Sequence, residues 1–437
     1  MRLDELFLWY LGDPATPRHV GTLRLVAAGK GVSLRYGEAW LADGFALSED
    51  LPLVDIEHLP PGRLAADAQR AVGAVDDARP DRWGEKVIRF LDKPGRLSLM
   101  EYLYYAGDDR FGALGVSRSS TSYIPRAGSP LPRLDDAQRL SEVAAKIEAA
   151  EPISAMEAKI IRAGGSLGGA KPKALIDIGG EQWVIKFFNG EPVVTPLIEH
   201  ATMTLAEHAG ITVARTQIIP LAGAHALAIR RFDREQGRRI HAISAGTAIR
   251  AATPSGEEPE LGYPGLARIL RRVGITQDDT HQRDARELFR RMVFNILVDN
   301  TDDHEKNHAL LVVDLHRNGR LKLAPAYDVL PGNSGQGFQE FICGSHGRDS
   351  TLDNAMSQCD AFGLLPKEAA AEVAAVIEVV NTWQAHFARV GVSARDIDSL
   401  AERIDGEHLL AQRTGFNPAR FQETPARKKR TSPFRRP

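Results

Sequence analysis

One stretch, Asn300 to Leu311 (NTDDHEKNHALL), constrains the fold more than any other, because two motifs that need different backbones are written over the same letters. Read as His304-Glu305-Lys306-Asn307-His308 it is H-E-x-x-H. That motif binds zinc only from the middle of a helix, where the i, i+4 spacing aims two imidazoles at one ion and the glutamate polarises a water. Read from Asp302 to Asn307 it is D-x-x-x-x-N, the spacing of a kinase catalytic loop, with the aspartate at the acceptor hydroxyl and the asparagine on magnesium. The flanks decide between them. Asn300, Thr301, Asp302 and Asp303 are turn and cap residues that end the helix expected over ARELFRRMVFNILV, and ALLVVDL after His308 reads as a strand. At most one helical turn fits between, and a third zinc ligand would have to be Glu340, which has no motif around it. The loop reading is the better one.

D-x-x-x-x-N alone recurs by chance in loops, so its companions matter. Upstream, GGSLGGAKPKA puts four glycines, a serine and two lysines between apparent strands, where backbone N–H groups can approach phosphates unobstructed. It departs from G-x-x-x-x-G-K-[ST], and a flexible turn is its bland alternative. Lys186 in WVIKFF lies between apolar neighbours in a strand, where a buried ammonium needs an anion. Glu199 on the following helix is a candidate partner, and an edge lysine facing solvent is the alternative. In LAPAYDVL, Asp328 follows a short strand, the place of a second metal-binding aspartate in kinases, although a carboxylate there could equally cap a turn. Glycine-rich loop, strand lysine, helix glutamate, Asp-x-x-x-x-Asn and strand-end aspartate occur in kinase order, which independent accidents would rarely produce. The set is chemically sufficient: loop and lysine hold a triphosphate, Asn307 and Asp328 hold Mg2+, and Asp302 orients or deprotonates the attacking hydroxyl.

The rest of the chain supplies a frame for this site. Leu3 to about Leu53 alternates apolar and polar residues in short runs (HVGTLRLVAAG, GVSLRYGEAWL), as half-buried strands do. DRWGEKVIRFLDKP, SLMEYLYYAG and DAQRLSEVAAKIEAAE read as helices. IRAGGSLGGAKPKALIDIGGEQWVIKFF reads as strand, glycine-rich loop, strand, turn at Gly179-Gly180, and the Lys186 strand. A helix over PLIEHATMTLAEHAG ends at Gly210. Beyond Asp233 the pattern turns helical, interrupted by loop and strand between Asn300 and Val329. The expected divisions are a β-rich module with following helices over 1–125, a lobe with the glycine-rich loop over 126–232, a mostly helical lobe over 233–420 and a basic tail over 421–437. Among 437 residues the formal net charge is -2, so no global attraction to nucleic acid or membrane is expected. Two cysteines, Cys343 and Cys359, exclude a disulfide scaffold and fit a reducing cytoplasmic setting. No apolar run approaches a bilayer's width, and MRLDELFLWYLGD lacks the basic start of a secretory signal.

Taken together, SLGGAKPKALI, WVIKF, IRRFDR, NTDDHEKNHALL and APAYDVL resemble the HipA family of bacterial toxin serine/threonine kinases. HVGTL, LSEDLPL, ARPDRWGEKVI and YAGDDRFGALGVS extend the likeness, which covers Leu3 to Val329. The resemblance implies an α+β, protein-kinase-like two-lobe fold with a β-rich N-terminal module and a mostly α-helical C-terminal lobe. It implies Asp302 as catalytic base and Asn307 with Asp328 as Mg2+ ligands. It implies ATP contacts from Gly168, Gly169, Ala170, Lys171, Pro172, Lys173, Lys186, the hinge Arg230, Arg231 and Phe232, then His304, Glu305, Lys306, Asn307, Tyr327 and Asp328. Ser166 matches a serine that family members phosphorylate on themselves, which ejects the loop and switches the kinase off; a phosphate there would repel nucleotide. The implied partners are a small HipB-like helix-turn-helix antitoxin, DNA only through it, and a protein substrate such as an aminoacyl-tRNA synthetase, with no membrane. The chain departs from the family pattern with RIHAISAGTAI after RFDR and with Arg230 where some members are acidic. A small-molecule kinase of the same fold and a non-catalytic, antitoxin- or DNA-associated scaffold stay open at this point.

Overall fold

A computed structural model describes residues 3–60, 69–126, 130–164, 171–188, 190–254, 256–315, 320–332 and 337–422. Ser166, Gly168, Gly169 and Ala170 of the glycine-rich loop and nearly all of the basic tail lie outside the described residues.

The chain opens with β1 (Glu5–Tyr10), β2 (Arg18–Val26), β3 (Gly31–Tyr36), helix α1 (Glu38–Asp43), β4 (Glu57–His58), β5 (Arg70–Ala71), α2 (Ala74–Asp77), α3 (Arg82–Leu91), α4 (Leu99–Tyr105) and β6 (Leu114–Ser117). These strands form one sheet in the order β4-β3-β2-β1-β6, antiparallel throughout, with β5 added parallel to β3. Period-2 alternation drives it: Leu6, Leu8 and Tyr10 of β1 and Val32, Leu34 and Tyr36 of β3 are buried. The run GVSLRYGEAWL is not all strand, however. It breaks at Gly37, and EAWL begins α1, whose buried Trp40 packs against Tyr10 and Phe45.

Helices α5 (Ala137–Glu148) and α6 (Ala155–Gly164) precede a second antiparallel sheet. It comprises β7 (Lys173–Ile178), β8 (Glu181–Lys186), β9 (Thr216–Leu221) and β10 (Ala224–Arg230) in the order β7-β8-β10-β9, with α7 (Thr195–His208) between β8 and β9. The strand expected before the glycine-rich loop is instead the end of α6. Ser154 and Glu157 explain why: Glu157 Oε2 accepts from the Ser154 N–H while Ser154 Oγ accepts from the Glu157 N–H, a reciprocal cap that starts a helix ahead of the short window read as strand. The Gly179-Gly180 hairpin is as expected, both glycines having positive φ, 65° and 84°.

The remainder is helical around a small sheet. A ribbon of β11 (Arg234–Glu235) and β12 (Arg238–Arg239) leads to β13 (His241–Ser244), α8 (Ala245–Ala252), α9 (Tyr263–Val273), α10 (Thr280–Leu297), β14 (Ala309–Asp314) and β15 (Arg320–Leu323). Strands β13-β14-β15 pair antiparallel. Then come α11 (Leu352–Ser357), α12 (Pro366–Val380), α13 (Trp383–Val390), α14 (Ala394–Ile404) and α15 (Glu407–Gly415). One continuous apolar core joins Leu6, Leu34 and Trp40 of the N-terminal sheet to Phe289, Phe294 and Trp383 of the helical lobe. A second core places Trp83 and Val87 of α3 with Leu140 and Val143 of α5 against Ala174, Ile185 and Ala228 of the second sheet. No helix among the described residues is long and apolar enough to cross a membrane.

Polar contacts lock the N-terminal sheet onto the rest. Asp233 is buried and accepts from Arg231 Nε at 2.9 Å and Nη2 at 2.8 Å, from Arg234 Nη1 at 3.1 Å and from the Gly112 N–H at 2.8 Å. Arg231 also donates to the carbonyls of Asp109 and Arg110. Gly112 has φ 73°, and a Cβ there would crowd the Ala242 backbone at 3.1 Å. Burial alone would raise the Asp233 carboxyl, but the two guanidiniums hold it well below the usual carboxylate range. Asp233→Ala is therefore expected to leave two buried cations unpaired and to cost about 3–5 kcal/mol, read as a lower urea midpoint at unchanged slope. The wild-type contribution is complete above the unfolded carboxylate's range and is lost only as pH falls through the depressed folded value.

Candidate active site

The second sheet and α7 build the cationic side of a cleft. Lys186 closes β8, and its Nζ donates to Glu199 Oε1 at 2.6 Å and to Asp328 Oδ1 at 2.5 Å. The Lys186 side chain is 8% exposed and that of Glu199 0%, so these two form a buried, charge-assisted pair rather than an edge lysine, with the half-exposed Asp328 as the second anion. Burial works against the ammonium, yet Asp328 and Glu199 more than offset it and raise its pKa. In the sheet Lys173 lies directly opposite Lys186. It is buried too, and burial together with the Lys186 charge pulls its ammonium down to about 8. The two neighbouring lysines bring two ammonium groups together, the charge that a polyanion calls for.

Asp328 reaches this pocket from the turn after β15, in the left-handed region at φ 59°, where a residue other than glycine sits at a cost. The turn is pinned by backbone bonds from Ala214 N to Ala326 O and from Ala326 N to Thr212 O, both 2.8 Å. Although burial favours the neutral acid, Lys186 and Lys173 bring the Asp328 carboxyl down to about 2.

The stretch from Asn300 to His308 is turn, not helix, between α10 and β14. Its adjacent aspartates diverge. Asp302 is exposed, and partial burial raises its carboxyl, with His304 opposing and Asp328 and Glu340 adding to the rise. Asp303 turns inward, where Oδ2 accepts from Tyr263 Oη and lies 2.9 Å from His308 Nε2. Asn295 Nδ2 donates to Tyr263 Oη at 2.9 Å, and the His308 ring stacks on Phe341 at 5.3 Å. This buried group supports the loop from below, and sequence reasoning missed it. The zinc reading fails on the same geometry: His308 is committed to Asp303, His304 Nδ1 accepts from the Lys306 N–H, and Glu340 pairs with Arg348 at 3.1 Å.

Asn307 is buried, with Nδ2 3.5 Å from the Asp302 carbonyl. Tyr327 Oη donates to the Lys306 carbonyl at 2.6 Å, and the Tyr327 ring lies 5.3 Å from Phe232 at the end of the β10 hinge. The other expected nucleotide contacts are dispersed. Lys171 pairs with Glu191 at the surface, Pro172 accepts from the Phe187 N–H, Arg230 pairs with Glu181 at 2.7 Å, and Glu305 pairs with Arg250 at 3.1 Å. The Arg231 guanidinium is spent on Asp233 and its N–H donates to the Gln182 carbonyl at 3.0 Å. Two further carboxylates enter from the N-terminal module. Asp81 accepts from Lys306 Nζ at 2.7 Å, and Asp77 accepts from Ser244 N at 2.8 Å and Oγ at 2.7 Å. In the sequence, ARPDRWGE signals only a helix start.

Comparison with known proteins agrees with this architecture. The family model described as HipA-like C-terminal domain matches residues 165–384, just over half of the chain. A solved HipA of Shewanella oneidensis, in complex with HipB and operator DNA, superposes with a TM-score of 0.63 at 18% identity over 96% of this chain and all of that one, a likeness of fold. A Sinorhizobium fredii protein described as a candidate kinase, Y4dM, is 31% identical over 163 residues, 35% of this chain and 37% of its own length. A Haemophilus influenzae candidate kinase is 26% identical over 187 residues, 38% of this chain and 52% of its own length. The matched regions thus span between a third and about half of these curated relatives. With the family model covering residues 165–384 and the fold shared along nearly the whole length, the chain belongs to the HipA family.

Proposed function

We propose that this chain is an ATP-dependent serine/threonine protein kinase acting as the toxin of a toxin–antitoxin pair in the cytoplasm. The observation that carries the reading is Lys186 bridging the buried Glu199 and the strand-end Asp328, with Asp302 and Asn307 on the loop whose charge reaches the same cleft. Lys186 and Lys173 would hold the ATP phosphates, and Phe232 and Tyr327 offer aromatic faces for the base. Asp328 and Asn307 supply the hard oxygen donors that suit Mg2+, and among the described residues Asp328 uses only Oδ1 on Lys186. Mg2+, when bound, would neutralise phosphate charge. Asp302 takes the proton of a serine or threonine hydroxyl, the hydroxyl oxygen bonds to the γ-phosphorus, and the bond to the leaving ADP oxygen breaks.

The solved HipA relative is bound to HipB and operator DNA. By that analogy the partner here is a small helix-turn-helix antitoxin, and DNA is met through it. The substrate is a translation-related protein such as an aminoacyl-tRNA synthetase, and Ser166 receives a self-inactivating phosphate. Intact-mass and peptide mass spectrometry of the full chain incubated with Mg-ATP tests this reading. Phosphate on Ser166 in wild type and none in Asp302→Asn is expected; equal phosphate in both would remove the assignment of Asp302, and none in either would remove the self-phosphorylating protein kinase in favour of a small-molecule kinase or a non-catalytic role.

A further inference from the structure

Helix α3 begins at the mouth of the cleft, and its first residues touch both sides. Trp83 Nε1 donates to the Lys173 carbonyl at 2.8 Å, gripping the strand that carries the second buried lysine. Two residues earlier, Asp81 occupies the N-cap position, where an aspartate ordinarily caps its own helix. Here its side chain makes no such cap; it accepts instead from Lys306 Nζ at 2.7 Å, 225 residues away. The helix itself cannot drift, since Trp83 and Val87 are buried in the core of the second sheet and Lys86 Nζ donates to the Glu148 carbonyl at the end of α5.

Lys306 lies between Asp302 and Asn307, and its other polar groups are also taken. The carbonyl accepts from Tyr327 Oη and the amide donates to His304 Nδ1. The carboxylate of Asp81 is close enough to influence Lys173 and Tyr327 as well, so it belongs to the cleft and not to its periphery. We infer that the N-terminal end of α3 is a brace that fixes the separation between the phosphate-holding strand and the catalytic loop, with Asp81 a positioning residue acting through Lys306. The inference rests on the proposed phosphotransfer role of the cleft for its functional meaning, but not for its geometry. Both brace residues lie outside the region matched by the family model.

A partly exposed ion pair adds little to global stability, so what the pair supplies is local order. Hydrogen exchange on the full chain reads that order without turnover. In Asp81→Asn the amides of residues 302–308 are expected to exchange about tenfold faster, with the first sheet unchanged and protection restored in Asp81→Glu. Lys306→Met removes the same contact from the other end and should give the same exchange, which covers poor folding of the Asp81 variant. Unchanged loop exchange in both overturns the brace. With Mg-ATP, Asp81→Asn should lose about tenfold to a hundredfold in phosphorylation rate at saturating ATP while half-saturation moves less than about twofold. A shift in half-saturation alone would make Asp81 part of nucleotide binding and overturn the positioning role. Absence of phosphotransfer in wild type removes the proposed function and leaves the brace to stand or fall on exchange.

Discussion

Lys186→Met is expected to reduce phosphotransfer by about 10²–10³-fold, the loss typical of removing one group that stabilises transferring charge, and also to destabilise the fold. The two effects have different origins. Loss of activity would follow from removing the cation proposed to align the phosphates. Loss of stability follows from Glu199, whose side chain is 0% exposed and whose Oε2 has no other partner, left as an uncompensated buried carboxylate. Breaking such a pair from one side costs about 3–5 kcal/mol. In the variant the Glu199 carboxyl would titrate above its unfolded value, so the penalty is absent below about pH 4 and grows as pH rises. Lys186→Met combined with Glu199→Leu should recover most of the stability and none of the activity. Urea denaturation beside rate measurements separates these outcomes, and wild-type rates in the single variant would end the assignment of Lys186.

Asp302→Asn should be nearly silent in denaturation, within about 0.5 kcal/mol, because the side chain is exposed. Its rate should fall by about 10²–10⁴-fold with nucleotide affinity retained, since Lys186, Lys173 and Asp328 are untouched. The pH profile identifies the group. Partial burial, reinforced by Asp328 and Glu340 and opposed by His304, raises the Asp302 carboxyl. A general base works deprotonated, so the acid limb of the wild-type rate should lie above the ordinary carboxylate range. Glu340→Gln should shift that limb to lower pH, and Asp302→Asn should abolish it. A limb indifferent to Glu340→Gln would belong to another group.

The parts of this site legible in the sequence are those whose chemistry is local. Asp302 and Asn307 sit in one loop and announce themselves by spacing, and cap residues before them rule out the zinc-binding helix. The Lys186 triad was half visible: the strand context of Lys186 demanded an anion and Glu199 was the candidate, but Asp328, read as a metal ligand, converges on the same ammonium, which is a tertiary fact. Asp303 was hidden beside Asp302, because nothing local says which of two adjacent aspartates faces in; Tyr263 and Asn295 decide that from other helices. What the sequence did not reveal at Arg231 is the destination of its guanidinium, which Asp233 two residues later captures together with carbonyls from residues 109 and 110. The error at α6 has a local cause, for the cap made by Ser154 and Glu157 lies upstream of the window that looked like a strand.

The first sheet and the helical lobe share one apolar core, and they are also joined by His241 Nε2 at 2.9 Å from the Leu47 carbonyl, by Asp77 at Ser244 and by Arg231 at the carbonyls of 109 and 110. Such a seam resists recombination. A chimera that took its front half from one relative and its back half from another would inherit mismatched halves of a single interior, together with a partly buried carboxylate that has lost its serine. The two halves are therefore expected to have changed in step across the shared core and at position 77 with position 244, whereas the carbonyls of 47 and 110 would be supplied by any residue.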